Sequence, residues 1–258
     1  MFKSLLANPL TRGLDMDSPE MTTLRGQIIK ENPFLNQIYL EWYSCLVKTL
    51  QNIPEGSILE IGSAGGFLNE FHNNIITTDV IFTKYIDVIL DGHQLPFQSA
   101  SLSGVLMTNV LHHLHQPRRF FTESARCVQP GGVITMLEPW VTLWSRFVYG
   151  SLHHEPFQPD VEDWEFQSSG PLSSANGALP WIIFKRDQDK FVCEFPEWHI
   201  QEISLNTPFR YLISGGVSMR SLMPSRTFGF WSWFESLFQP WFGNIAMFAR
   251  IVLLRTTR

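Results

Sequence analysis

Cysteine is scarce in this chain: Cys45, Cys127 and Cys193 lie far apart, are odd in number and form no CxxC pair. That spacing suggests neither a zinc site nor a disulfide framework, and the three read as reduced thiols of a cytoplasmic protein. Positive charge is also short. The 24 acidic residues outnumber the 19 Lys and Arg, for a net charge of -5. A nucleic-acid partner calls for a basic footprint, so none is expected. No apolar run reaches the length of a spanning helix, and the nearest is broken by Glu235, Pro240, Asn244 and Arg250. Residues Met1 to Leu10 carry one lysine and an apolar stretch too short for a signal segment. Internal repeats and low-complexity tracts are missing too. The expectation is a cytoplasmic protein that at most rests on a membrane surface.

What is present suits a folded core. The 258 residues are 44% hydrophobic and 17% charged, which fits one generous domain, 1–258, with insertions. Ser18-Pro19-Glu20 is a helix start, with a capping hydroxyl, proline in the first turn and an early carboxylate. Asn32-Pro33 divides residues 18–51 into two helices, the second with Phe34, Ile38, Leu46 and Leu50 at helical spacing. Strand-like runs follow at 57–61, 75–78, 86–90, 102–108 and 133–137. A helix is read at 117–128, another from about 180 to 191, a strand within 200–213 and a final strand within 245–255. Buried apolar strands alternating with helices predict an α/β fold with a parallel sheet covered on both faces.

The sharpest local pattern is Leu59-Glu60-Ile61-Gly62-Ser63-Ala64-Gly65-Gly66-Phe67. A strand running into small residues and then a helix lets the backbone pass close to a nucleotide-like ligand, and Gly62 and Gly66 tolerate turn geometries that a Cβ opposes. Asp79 ends the second strand, where a carboxylate can take two ribose hydroxyls. Asp91-Gly92 follows the third strand, and Asn109 with Leu111-His112-His113 follows the fourth. These loops converge at the carboxyl edge of the sheet, where open α/β folds bind ligands.

In this order, Glu60 to Gly66, Asp79, Leu95-Pro96-Phe97, Leu111-His112-His113 and Gln129-Pro130-Gly131-Gly132 resemble the class I S-adenosylmethionine-dependent methyltransferases of the quinone-biosynthesis type. The resemblance covers residues 55–140. It implies a Rossmann-like, mostly parallel seven-stranded sheet with helices on both faces, an N-terminal helical extension (1–54), and insertions after strands 5 and 6 (141–198 and 214–243) on the substrate side. It also implies S-adenosyl-L-methionine as cofactor, with its amino-acid end held indirectly by Glu60 and the turn of Gly62, Ser63, Ala64 and Gly66 passing under it. Asp79 would bind the ribose, Asp91 and Gly92 would face the adenine, and Asn109 would border the methionine part. Ala64 stands where glycine is commoner. A nicotinamide dinucleotide is the rival ligand, but the Leu-Pro-Phe loop has no place in the dehydrogenase pattern.

Methyl transfer needs alignment of an acceptor and, for a hydroxyl or acidic carbon, removal of a proton. Candidate bases are His112 and His113, and His153-His154-Glu155 in the first insertion; helix packing and a polar loop are the blander readings. Neighbouring side chains seldom converge on one ion, so no metal is expected there. The aromatic stretch 228–242 is the most unusual composition in the chain. It can close the core, form a homodimer interface, line an apolar acceptor pocket or rest on a membrane. The expected acceptor is a small hydrophobic or lipid-linked molecule. A scaffold that kept the fold without turnover is the alternative.

Overall fold

The computed structural model describes residues 7–63, 65–152 and 155–256. The first helix, α1 (Pro19–Glu31), starts where the sequence predicts: the Ser18 hydroxyl accepts the Met21 amide and Pro19 occupies the first turn. Asn32 ends it and caps α2 (Pro33–Val47), its side-chain oxygen accepting the Phe34 and Leu35 amides.

Among the described residues, seven strands form one sheet in the order β3-β2-β1-β4-β5-β7-β6. They are β1 (Ser57–Ile61), β2 (Ile75–Asp79), β3 (Val88–Ile89), β4 (Leu102–Thr108), β5 (Val128–Pro139), β6 (Trp198–Asn206) and β7 (Phe248–Arg255). All pair in parallel except β7, which runs antiparallel to both β5 and β6, with Met136 opposite Ile251 and Ile203 opposite Ile251 on its other side. The expected third strand, 86–90, contracts to two residues, both exposed at the sheet edge.

The two sheet faces are covered from different parts of the chain. Phe34, Ile38 and Leu46 of α2 bury Ile58, Leu106, Val133, Leu137 and Phe248 on one face. On the other, α3 (Pro117–Cys127) and the helical segments of 179–194 bury Leu59, Val105, Met107, Ile134, Met136, Ile251 and Leu253. Strand alternation explains the division, since successive side chains point to opposite faces.

Two expectations need correction. The glycine turn is not followed by a helix, because only eight residues, 67–74, separate it from β2, and a single turn (Leu68–Glu70) forms there. The expected helix at 180–191 is broken. Leu179–Trp181 passes into a wide π turn at Ile182–Arg186, closed by the Asp187 amide on the Ile182 carbonyl, before α5 (Gln188–Glu194). Asp187 is held at that break by Trp164 Nε1 and the Arg186 guanidinium.

Helix α4 (Leu143–Leu152) follows β5. After β6 come α6 (Arg210–Ser214) and the aromatic helix α7 (Phe228–Leu237). Glu235 ties these last two together, its carboxylate accepting the Phe209 and Arg210 amides and pairing with the Arg210 guanidinium.

Candidate active site

A cavity of about 410 Å³ opens at the carboxyl edge of β1, β2 and β4. Its floor is the glycine turn. Gly62 has φ +77°, in the left-handed region, and a Cβ there would strike the Val110 side chain. A Cβ on Gly66 would strike the hydroxyl of Tyr43. Helix α1 approaches just as closely: a Cβ on Gly26 would lie 3.1 Å from the Gly65 carbonyl oxygen. The N-terminal helices therefore help build the site. Thr22, Arg25 and Ile29 of α1, and Tyr39 and Tyr43 of α2, line the cavity at helical spacing. Their spacing was visible in the sequence, but nothing there tied that helix face to the glycine turn.

Glu60, at 3% exposure, is the unusual group of the floor. One of its carboxylate oxygens, Oε2, has no hydrogen-bond partner. Burial, reinforced by the charge of Asp79, pushes its pKa up to about 7 against the pull of the Ser63 hydroxyl. A buried unpaired carboxylate beside a cradle of glycines suits a ligand that brings a cationic group, as the amino-acid end of S-adenosylmethionine does. Asp79, Asp91, Gly92 and Asn109 line the same cavity. Asp79 Oδ1 accepts the Ile81 amide at 2.8 Å, and Asn109 sits at φ +59°, in the left-handed region. Burial alone would raise the Asp91 pKa, but hydrogen bonds from the His93 backbone and ring hold it low.

Ser63 departs from expectation. It does not line the cavity, because its hydroxyl donates to the Glu60 carbonyl and accepts the Thr78 amide, stitching β1 to β2. Ala64, His153 and His154 lie outside the described residues.

Across the cavity from the glycines, His112 and His113 meet Glu155. His112 is buried, its Nδ1 2.7 Å from Glu138 Oε2, while Glu138 Oε1 accepts the Val110 and Leu111 amides at 2.8 Å each. His113 Nδ1 lies 3.1 Å from the Ser174 carbonyl. The Nε2 atoms point to Glu155, at 3.6 Å from His112 and 4.0 Å from His113. Burial opposes charge on His112, but bonds to Glu138 and Glu155 outweigh it and carry the pKa to about 9. Burial and the neighbouring His112 charge push His113 down to about 4. Sequence reading missed Glu138, whose place at the end of β5 was its only signal.

The remaining wall is aromatic: Tyr149, Phe157, Tyr211 and Phe248 join Tyr39 and Tyr43. Gly170 to Leu172 form a roof, fastened by Asp17, which accepts the Leu172 and Ser173 amides at 2.6 and 2.9 Å. None of residues 228–242 lines the cavity, which corrects their reading as its pocket wall. Phe228 and Trp231 pack on the core, whereas Phe230, Trp233, Leu237 and Trp241 are about half exposed.

Residues 64–136 match the family model described as a methyltransferase domain. No curated protein sequence matches the chain. Among solved structures, the fold resembles geranyl diphosphate C-methyltransferase from Streptomyces coelicolor A3(2), crystallised with Mg2+, geranyl diphosphate and S-adenosyl-L-homocysteine. The TM-score is 0.53 at 12% identity, over 89% of this chain and 82% of that one. It also resembles phosphoethanolamine N-methyltransferase 2 from Haemonchus contortus, in complex with S-adenosyl-L-methionine, with a TM-score of 0.51 at 14% identity over 100% of this chain and 60% of that one. These relatives carry the fold and do not single out the quinone-biosynthesis branch. With that strand order around the matched segment, the chain carries a methyltransferase domain at residues 64–136 on a Rossmann-like seven-stranded sheet.

Proposed function

We propose that the protein methylates a small acceptor that is apolar over most of its length and carries a heteroatom at its reacting end. The observation that carries this reading is the make-up of the cavity wall beyond the cofactor residues, where the aromatic rings of Tyr39, Tyr149, Phe157, Tyr211 and Phe248 accompany the cluster of His112, His113 and Glu155. The cofactor supplies a methyl group on a sulfonium, an electrophile that needs no activation by the protein. The chain's own residues then have two tasks. Glu60, Asp79, Asp91, Gly92 and Asn109 hold and orient the cofactor beside the turn of Gly62 and Gly66. The aromatic wall excludes water and aligns the acceptor with its heteroatom toward the histidines.

In this reading residues 55–140 carry the cofactor. Parts of 141–198 and 214–243, including Glu155–Phe157, Gly170–Leu172 and Val217–Ser218, close over the acceptor. A cavity left open by the 228–242 aromatics supports turnover over the scaffold alternative. The exposed Phe230, Trp233, Leu237 and Trp241, with Leu143 and Phe147 of α4, support delivery of a lipid-linked acceptor from a membrane surface. No helix among the described residues is long and apolar enough to cross a membrane.

Calorimetric titration with S-adenosylhomocysteine, beside an Asp79→Ala control, tests the cofactor site. Turnover on apolar acceptors with and without a hydroxyl or amine end, and flotation with anionic and neutral liposomes, test the rest. Binding abolished in the control, with turnover confined to acceptors bearing the heteroatom, is the expected result. Turnover on charged, water-soluble acceptors alone would refute the apolar reading.

A further inference from the structure

We infer that His112 Nε2, His113 Nε2 and a carboxylate oxygen of Glu155 form a binding site for one divalent first-row transition ion at the acceptor end of the cavity. These ligand atoms all lie within 4.8 Å of one another, although they come from two segments separated by the whole of β5 and α4. Two imidazoles and one carboxylate that leave further positions open are a donor set for zinc, iron, cobalt or manganese rather than magnesium or calcium.

The outer contacts strengthen the case. Metal-binding histidines generally donate the other ring N–H to a carboxylate or a backbone carbonyl, which fixes tautomer and ring orientation. Both do so here. His112 Nδ1 faces Glu138 at 2.7 Å and His113 Nδ1 faces the Ser174 carbonyl at 3.1 Å, which leaves both Nε2 atoms toward Glu155. Glu138 is itself locked by the Val110 and Leu111 amides, so His112 has little freedom to turn away.

The spacing is close to what an ion requires. Ligands about 2.0–2.1 Å from a tetrahedral centre stand roughly 3.4 Å apart. Glu155 Oε2 lies 3.6 Å from His112 Nε2, and its other oxygen, Oε1, lies 4.0 Å from His113 Nε2. With all three ligand atoms within 4.8 Å of one another, side-chain shifts of about 1 Å would close the set. All three residues line the cavity, so the open positions of the ion face its interior, where an oxygen or nitrogen of the acceptor can occupy them. That last step rests on the acceptor reading given above; the binding of the ion does not.

The test uses the full chain, stripped with a chelator and titrated with Co2+ while visible d–d absorption is recorded, and with Zn2+ by calorimetry. Wild type, His113→Ala, Glu155→Ala and Glu138→Gln are compared, and each is also titrated with S-adenosylhomocysteine to establish that it is folded. One ion per chain is expected, with affinity lost in His113→Ala and Glu155→Ala and about 10–100-fold weaker in Glu138→Gln. Wild type that binds the homocysteine product but takes up no stoichiometric Co2+ would overturn the proposal. So would Co2+ binding that is equal in all four proteins. Intact Co2+ binding without binding of the homocysteine product would support the ion site and overturn the cofactor reading instead.

Discussion

Replacing Glu60 by Gln gives the most direct check on the cofactor floor. In the free protein this carboxyl is buried with one oxygen unpaired, and its pKa stands at about 7 instead of the ordinary 4.5. That difference means the fold holds Glu60 ionised at a cost of roughly 3 kcal/mol. Between pH 4.5 and 7 the unfolded chain has released the proton while the folded chain keeps it. Stability therefore falls as pH rises through that window and is level above it. Glu60→Gln removes this dependence. Its melting temperature should match wild type near pH 4.5 and exceed it by several degrees at pH 8, at about 2–4 °C per kcal/mol for a chain of this size. Affinity for S-adenosylhomocysteine should change in the opposite sense. The variant lacks the charge that meets the ligand's amino group and should bind at least about tenfold more weakly at pH 8. In wild type, affinity should climb with pH up to about 7 and then flatten. Differential scanning calorimetry and titration calorimetry at pH 5 and 8 read both effects. A variant less stable than wild type at pH 8, or wild-type affinity indifferent to pH, would refute the reasoning.

Two more outcomes test how the elements around the site are held. Gly26→Val places branched carbons where a single Cβ already approaches the Gly65 carbonyl to 3.1 Å. Overpacking should cost about 1–3 kcal/mol in denaturant unfolding and weaken product binding, and unchanged values for both would show that α1 is not part of the floor. Glu235→Ala leaves the Arg210 guanidinium paired with Glu41 alone and the Phe209 and Arg210 amides at the start of α6 without their acceptor. A loss of about 1–3 kcal/mol is expected from tryptophan-monitored urea unfolding, and a loss below about 0.5 kcal/mol would contradict that account.

The parts of the fold set by local chemistry were legible in the sequence. The cap of Ser18, the break at Asn32-Pro33, β1, β2, β4, the helix at 117–127 and the closing strand follow from capping residues, proline and apolar period. Glu60, Gly62, Gly66, Asp79, Asp91, Gly92 and Asn109 do converge on one cavity. What was hidden depends on contacts between distant segments. Gly26 reads as a flaw in a helix until Gly65 is seen against it. Ser63 reads as a ligand residue until its hydroxyl is found bridging β1 and β2. The histidines at 112 and 113 gain their character from Glu138 and Glu155, which no local pattern joins to them. The missing helix after the glycine turn was a matter of length: eight residues cannot hold a turn, a helix and a return.

The position of β7 has a consequence for how the chain acquires its structure during synthesis. Strand β6 has β7 as its sheet neighbour, so from Asn206 onward it waits unpaired until the chain has run on to Phe248. Trp42 and Tyr211 also pack their rings against Phe248, so the N-terminal helices cannot finish docking before that residue emerges from the ribosome. Pairings this remote in sequence form slowly and leave strand edges open in the meantime. A nascent chain stalled before residue 248 would hold β5 and β6 each with an unpaired edge where β7 belongs, the kind of surface that draws chaperones.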